Sequence, residues 1–141
     1  MGYGVDTSAY ISAGRLQNVI AANKTFIGRY LNPLENMHDH LTVNEVKLIS
    51  DAGLFIVSIF QDNNSSPNDK KLHFTAERGA ADAEAAVNQA EVIDQPSDTP
   101  IYFAIDYDTQ EEDFEDYIYP YVNAIIEYLS DDEKNPNHYL F

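Results

Sequence analysis

Residues Leu54–Phe60 read LFIVSIF, an almost unbroken apolar run rich in β-branched side chains. A half-buried strand alternates apolar and polar residues, whereas a run without alternation marks a strand covered on both faces, the habit of parallel sheets. Parallel neighbours cannot be joined by a tight hairpin and need a crossover of about a dozen residues or more, usually a helix. This one segment therefore commits the chain to alternating short strands and longer helices.

The flanking sequence meets that demand. Tyr3–Thr7 (YGVDT) reads as a first strand, followed by a helix over Ser12–Asn23 with Leu16, Val19 and Ile20 at spacings of three and four. Phe26–Leu31 (FIGRYL) is a second strand. After an irregular loop through Pro33 and the His38, Asp39, His40 cluster, Thr42 opens a second helix, and Glu45 three residues on completes a capping box. That helix carries Val43, Val46, Leu48 and Ile49 and should end at Gly53 in a left-handed cap. Beyond the polar loop Gln61–Lys71, a helix over Thr75–Val92 aligns Ala76, Ala80, Ala83, Val87 and Ala90 on one face, small enough to pack close to a sheet. Pro100–Ile105 (PIYFAI) is a fourth strand. Thr109 with Glu112 predicts another capping box, ahead of a helix with Phe114, Ile118, Val122, Ile125 and Leu129 that Pro120 bends. His138–Phe141 (HYLF) begins a fifth strand.

Four strand–helix units and the start of a fifth strand give an α/β chain with right-handed crossovers. Two architectures share this order. An open five-stranded flavodoxin-like parallel sheet fits 141 residues, whereas a closed (β/α)8 barrel, of which only (βα)4β would be present, ordinarily takes about 250. No linker or repeat divides the chain, so residues 1–141 read as a single domain.

Charge and composition exclude several functions. There are 24 Asp and Glu against 8 Lys and Arg, a net charge of −16 concentrated in the C-terminal half. Such a surface repels phosphate backbones and anionic lipid, which argues against nucleic acid and membrane as partners. The absence of cysteine removes disulfides, thiol catalysis and thiolate metal sites. The opening MGYGVDTSAY has neither the basic start nor the apolar run of an export signal. No glycine-rich phosphate loop follows a strand, so no nucleotide or flavin cofactor is expected. His38, Asp39 and His40 have no third, distant ligand, and the Asp106, Asp108, Gln110 series lacks the glycine and closing acid of a calcium loop, so no metal is expected either.

Both architectures gather function at the carboxyl ends of the strands. The polar residues there are Asp6, Arg29, Tyr30, Gln61, Asp62, Asp106 and Asp108. Asp106 and Asp108 are two apart in an extended segment, which puts their side chains on one face with Cα atoms about 6–7 Å apart. Like charges that close raise at least one pKa. A protonated carboxyl beside an ionised one is what glycosidic cleavage uses: one group protonates the leaving oxygen while the other attacks or stabilises the sugar cation. Asp6 adds a third carboxylate from another strand. Arg29 can hold a carboxylate by paired hydrogen bonds, Tyr30 can stack under a sugar ring and Gln61 can bond hydroxyls, with Tyr102 and Tyr107 as further stacking candidates. Each has a structural alternative: helix capping or loop bonding for the aspartates, an internal salt bridge for Arg29, core packing for the tyrosines, a polar strand end for Gln61.

Five segments taken in order, GVDTSAYIS (Gly4–Ser12), FIGRYLN (Phe26–Asn32), LTVNEVKLISDAGLFIVSIFQ (Leu41–Gln61), GAADAEAAVNQA (Gly79–Ala90) and PIYFAIDYD (Pro100–Asp108), resemble the glycoside hydrolase-like family of unknown-function domains. These are distant relatives of the family 25 muramidases, lysozyme-like enzymes of phages and bacterial cell walls. The resemblance implies a TIM-barrel-like (β/α)8 fold of which this chain holds the N-terminal half, truncated as the fifth strand begins. It matches Asp6 to the first-strand aspartate and Asp106 and Asp108 to the acidic pair of the fourth strand, with Arg29, Tyr30, Gln61 and Tyr107 lining the groove. In the muramidases the second acid of that pair is a glutamate acting as general acid; Asp108 is one methylene shorter. The implied activity is carboxylate acid/base cleavage of a cell-wall glycan of peptidoglycan type, without cofactor, in an extracellular or wall-associated setting. A non-catalytic carbohydrate- or wall-binding module with the same groove is the alternative, and a small open-sheet signalling domain is a third reading. A half barrel also predicts sheet edges open to self-association.

Overall fold

The apolar run becomes a central strand. The computed structural model describes residues 2–32, 40–62 and 70–141. Its elements are β1 (Gly4–Asp6), α1 (Ala13–Ala21), β2 (Phe26–Tyr30), α2 (Val43–Asp51), β3 (Phe55–Phe60), a 3-10 turn (Lys70–His73), α3 (Ala76–Val92), β4 (Ile101–Phe103), α4 (Glu111–Asp113), a π-helical turn (Phe114–Ile118) and α5 (Tyr119–Leu129). The four strands are parallel and lie in the order β1-β2-β3-β4.

That order decides between the two architectures. A flavodoxin-like sheet sets β1 between β2 and β3. Here β2 occupies that place, with Gly4 opposite Phe26 and Phe26 opposite Phe55. Sequential neighbours are the arrangement of a (β/α)8 barrel, so the open-sheet alternative is overturned. HYLF supplies a single parallel bridge from Leu140 to Pro100 in place of a full strand, on the side of β4 where a fifth barrel strand lies.

Register separates the two faces of the sheet. Val5, Ile27 and Ile56 form one row, and Arg29, Ser58 and Ile101 another on the same face. The long helices pack there. Leu16 of α1 and Ile49 of α2 join Ile27 and Val5; Ala86, Val87 and Ala90 of α3 join Phe60 and Ile101; Tyr121 and Ile125 of α5 join Phe103. A doubly wound sheet would carry helices on both faces. The opposite face presents Phe26, Phe55, Val57, Ile59 and Tyr102, with Phe55 75% and Tyr102 55% exposed. In a closed barrel, side chains at such positions fill the interior in layers.

Helix starts follow the sequence at α1, α2 and α3, capped by Ser12, Thr42 and Thr75, and depart from it by one residue at α4. The Glu45 N–H donates to Thr42 Oγ1 (3.3 Å) and the Thr42 N–H to Glu45 Oε2 (3.2 Å), and Gly53 ends the segment at φ 76°. The box expected at Thr109 and Glu112 falls one residue later: the helix starts at Glu111, and the Asp113 carboxylate accepts the Gln110 N–H at 3.1 Å. At the bend expected at Pro120 the chain forms a widened turn just before the proline. Proline has no N–H to give and collides with the carbonyl four residues back, and the Tyr119 N–H reaches past that position to the Phe114 carbonyl. The buried face of α3 is wider than expected: Ala83, Val87 and Ala90 face inward as read, Gly79, Asp82, Ala86 and Gln89 join them, and only Ala76 of the expected set is exposed. At Gly79 the α5 backbone comes so near that a Cβ would collide with the Tyr121 carbonyl oxygen.

Candidate functional site

At the carboxyl end of the sheet, residues from all four strand ends converge. Asp6 closes β1 and Tyr30 closes β2, and the Tyr30 hydroxyl donates to Asp6 Oδ2 at 3.4 Å. Gln61, just past β3, donates from Nε2 to Asp106 Oδ2, just past β4, at 2.9 Å. Tyr30 links the two pairs electrostatically. Burial raises its phenol pKa, and the carboxylates of Asp6 and Asp106 raise it further against the opposing Arg29. Two carboxylates carried by opposite edges of the sheet therefore act on one hydroxyl. Gly28 makes the approach possible, because a Cβ there would stand 3.0 Å from Asp6 Cβ and 3.0 Å from Ile59 Cδ1. Tyr102 shares a row with Tyr30 and Ile59 on the same open face.

Other expected site residues lie apart from this group. Arg29 is wholly buried on the helix face, and its hydrogen bonds go to the fold itself. Its Nε donates to Glu45 Oε1 (3.1 Å), one terminal nitrogen to the Thr7 carbonyl (2.6 Å), the other to the His40 carbonyl and Glu45 Oε2 (3.4 Å each). Placement in the groove gives way to an internal salt bridge. Tyr107 turns the same way and stacks on Phe74, with ring centroids 5.3 Å apart; burial and then Asp113 raise its phenol pKa. β4 ends at Phe103 and the chain bends at Tyr107, so the strand alternation that would have set Asp106 and Asp108 on one face is interrupted. Asp108 is exposed, and its backbone carbonyl accepts from Gln110 Nε2 at 3.2 Å. Of the histidine cluster, His38 and Asp39 fall outside the described residues.

Sequence reasoning missed a buried polar cluster behind this site. Asp82 on α3 is 2% exposed. Its Oδ2 accepts from the Tyr121 hydroxyl at 2.9 Å and lies 3.3 Å from His73 Nε2, while Oδ1 forms an ion pair with Arg78 Nε at 2.9 Å. Arg78 also pairs with Asp62. Burial holds the Asp82 carboxyl above the usual range despite these partners, and burial followed by Asp82 raises Tyr121. The signal available in the sequence was Arg78 and Asp82, four apart in an otherwise alanine-rich helix.

Comparison with known proteins bears on the fold and the family. Two uncharacterized Bacillus subtilis (strain 168) proteins are similar: FadG, 29% identical over 131 residues, and YbfG, 32% identical over 125. The alignments take 92% and 85% of this chain but only 22% and 16% of those proteins, so the chain spans a small part of their length. Among solved structures, the Mycobacterium tuberculosis Tat-secreted protein Rv2525c, in complex with L-tartrate, superposes with a TM-score of 0.74 at 21% identity, over 86% of this chain and 60% of that one. An uncharacterized B. stearothermophilus protein superposes with a TM-score of 0.70 at 20% identity, over 96% and 56%. These structural likenesses carry the fold, a partial TIM-barrel-like sheet. A sequence model of one family matches residues 17–139, and on that match the chain belongs to the Rv2525c-like, glycoside hydrolase-like domain family.

Proposed function

We propose that the chain forms the acidic half of a site that cleaves a cell-wall glycan of peptidoglycan type by carboxylate acid/base chemistry. The observation that carries this reading is the convergence of Asp6 and Asp106 on Tyr30, with Gln61 holding Asp106. Cleavage of a glycosidic bond requires one carboxyl to protonate the leaving oxygen and another to attack or stabilise the positive charge on the sugar. Asp106 and Asp6, the two carboxylates that converge on Tyr30, take those two roles, and Asp108 stands apart from them. Gln61 has the chemistry to bond sugar hydroxyls, and Tyr30 and Tyr102 present rings on the open face for stacking. The Mycobacterium tuberculosis relative is described as Tat-secreted, which suits a wall substrate.

Asp6, Asp106 and Asp108 are all exposed, which favours a second reading, a glycan-binding module that keeps the groove without turnover. A proton-donating carboxyl is usually set against apolar surroundings. Purified peptidoglycan incubated with the native chain, Asp106→Asn and Asp6→Asn separates the two. The enzyme reading expects reducing ends to be released by the native chain and lost in both variants. Equally negligible release from all three contradicts it.

A further inference from the structure

The site residues and the buried cluster alternate along the chain. Gln61 points to the open face and grips Asp106, while the next residue, Asp62, is ion-paired to Arg78 of α3. Asp106 points to the same face, while the next residue, Tyr107, stacks on Phe74. Both outward residues end in one place. Arg78 is ion-paired to Asp82, Asp82 accepts from Tyr121, and the Phe74 ring meets the Tyr121 ring edge-on at 5.0 Å. The ends of β3 and β4 are therefore tied, each through the neighbour of its site residue, to a common buried point.

We propose that Asp82 and Arg78 are positioning residues for the Gln61–Asp106 contact. Asp82 fixes Arg78 and Tyr121, Arg78 fixes Asp62, and Tyr121 with Phe74 fixes Tyr107, so the two segments past β3 and β4 are held at the separation at which Gln61 Nε2 reaches Asp106 Oδ2. A buried charge network suits this task because its partners are set by geometry as well as by contact, so it is less free to slide than an apolar seam. The inference rests on the proposed glycan site only for the significance of that contact. Its test reads the contact itself, so failure of glycan cleavage leaves it standing.

The readout is the Gln61 side-chain amide in isotope-labelled protein, followed by NMR for its resonance position and its hydrogen exchange. Asp82→Asn keeps an acceptor for Tyr121 and removes the charge facing Arg78; Arg78→Gln removes the clamp from a residue whose side chain is 41% exposed. Each is expected to move the Gln61 amide toward the position of a solvated glutamine and to speed its exchange. The double variant should do no more than either single one, and Arg78→Lys should keep most of the native signal. Gln95→Ala serves as the control: it breaks hydrogen bonds to Ser58, Thr99 and the Pro100 carbonyl away from the site and should leave the Gln61 amide in place. If Asp82→Asn fails to fold, Arg78→Gln decides alone. An unmoved Gln61 amide in folded Arg78→Gln, or an equal shift in Gln95→Ala, overturns the proposal.

Discussion

Arg29 and Glu45 are both fully buried, and each satisfies groups beyond its partner: Glu45 also accepts the Ile11 N–H at 2.7 Å and caps α2. Removing one member leaves the other charged and uncompensated in the interior, a loss of about 3–5 kcal/mol. Arg29→Met should therefore lower the urea midpoint steeply, and a midpoint near the native value would show that the pair is not a structural tie. Strand alternation already held part of this answer, because Arg29 and Tyr30 are adjacent in β2 and cannot both face the groove. The partner was not legible, since Glu45 stands sixteen residues on and its capping role looked sufficient for a glutamate at that position. The same alternation separates Gln61 from Asp62 and Asp106 from Tyr107.

Two aspartates titrate in opposite senses. The Gln110 N–H, then Lys71, hold Asp113 below the usual carboxylate range. A carboxyl lowered in the folded state contributes stability that is present above its ordinary value and lost as the pH falls through the folded one. Asp82, raised by burial, does the reverse: its contribution is present below the ordinary value and lost as the pH rises through the raised one. Asp113→Asn should thus flatten the acid limb of the melting-temperature profile, below about pH 4, and Asp82→Asn should steepen the net gain on leaving acid. Profiles parallel to the native curve would contradict both assignments.

Elements whose signals are local were readable. The Thr42–Glu45 box and the Gly53 cap mark α2 because both are made within a few residues of the helix itself. The extra width of the buried α3 face was hidden because it depends on α5, far along the sequence and packed against Gly79. The alanines marked part of the inward face, Ala83, Val87 and Ala90, and close backbone approach at Gly79 and the partners of Asp82 widen it. Gly79→Ala should force the helices apart and lower stability by about 1–3 kcal/mol, measured by urea denaturation; a neutral result would mean that α3 and α5 pack less closely than described. Widening of the turn before Pro120 belongs to the same scale. Proline predicts a broken ladder, but whether the chain kinks or loosens by one residue is set by what surrounds it.

For the molecule as a whole, the continuous apolar run and the strand–helix alternation established a parallel α/β sheet, but not its strand order. Order depends on which crossovers return beside their own strand, and composition does not record that. The sequential sheet leaves Phe55 and Tyr102 exposed, on the face opposite the one where the described helices pack. We also propose that the isolated 141-residue chain self-associates through this face and its neighbouring edges. Light scattering should show mass rising with concentration and a fall toward monomer in Phe55→Lys; a constant monomer mass for the native chain would contradict it. We propose that glycan is engaged at the Asp6, Tyr30, Gln61 and Asp106 strand ends, whether or not it is cleaved. NMR titration of the labelled chain with a soluble peptidoglycan oligosaccharide tests this most directly. Saturable shifts are expected at those four residues and at Tyr102, lost in Asp106→Ala, while shifts confined to other surfaces, or none at saturating oligosaccharide, would rule this engagement out.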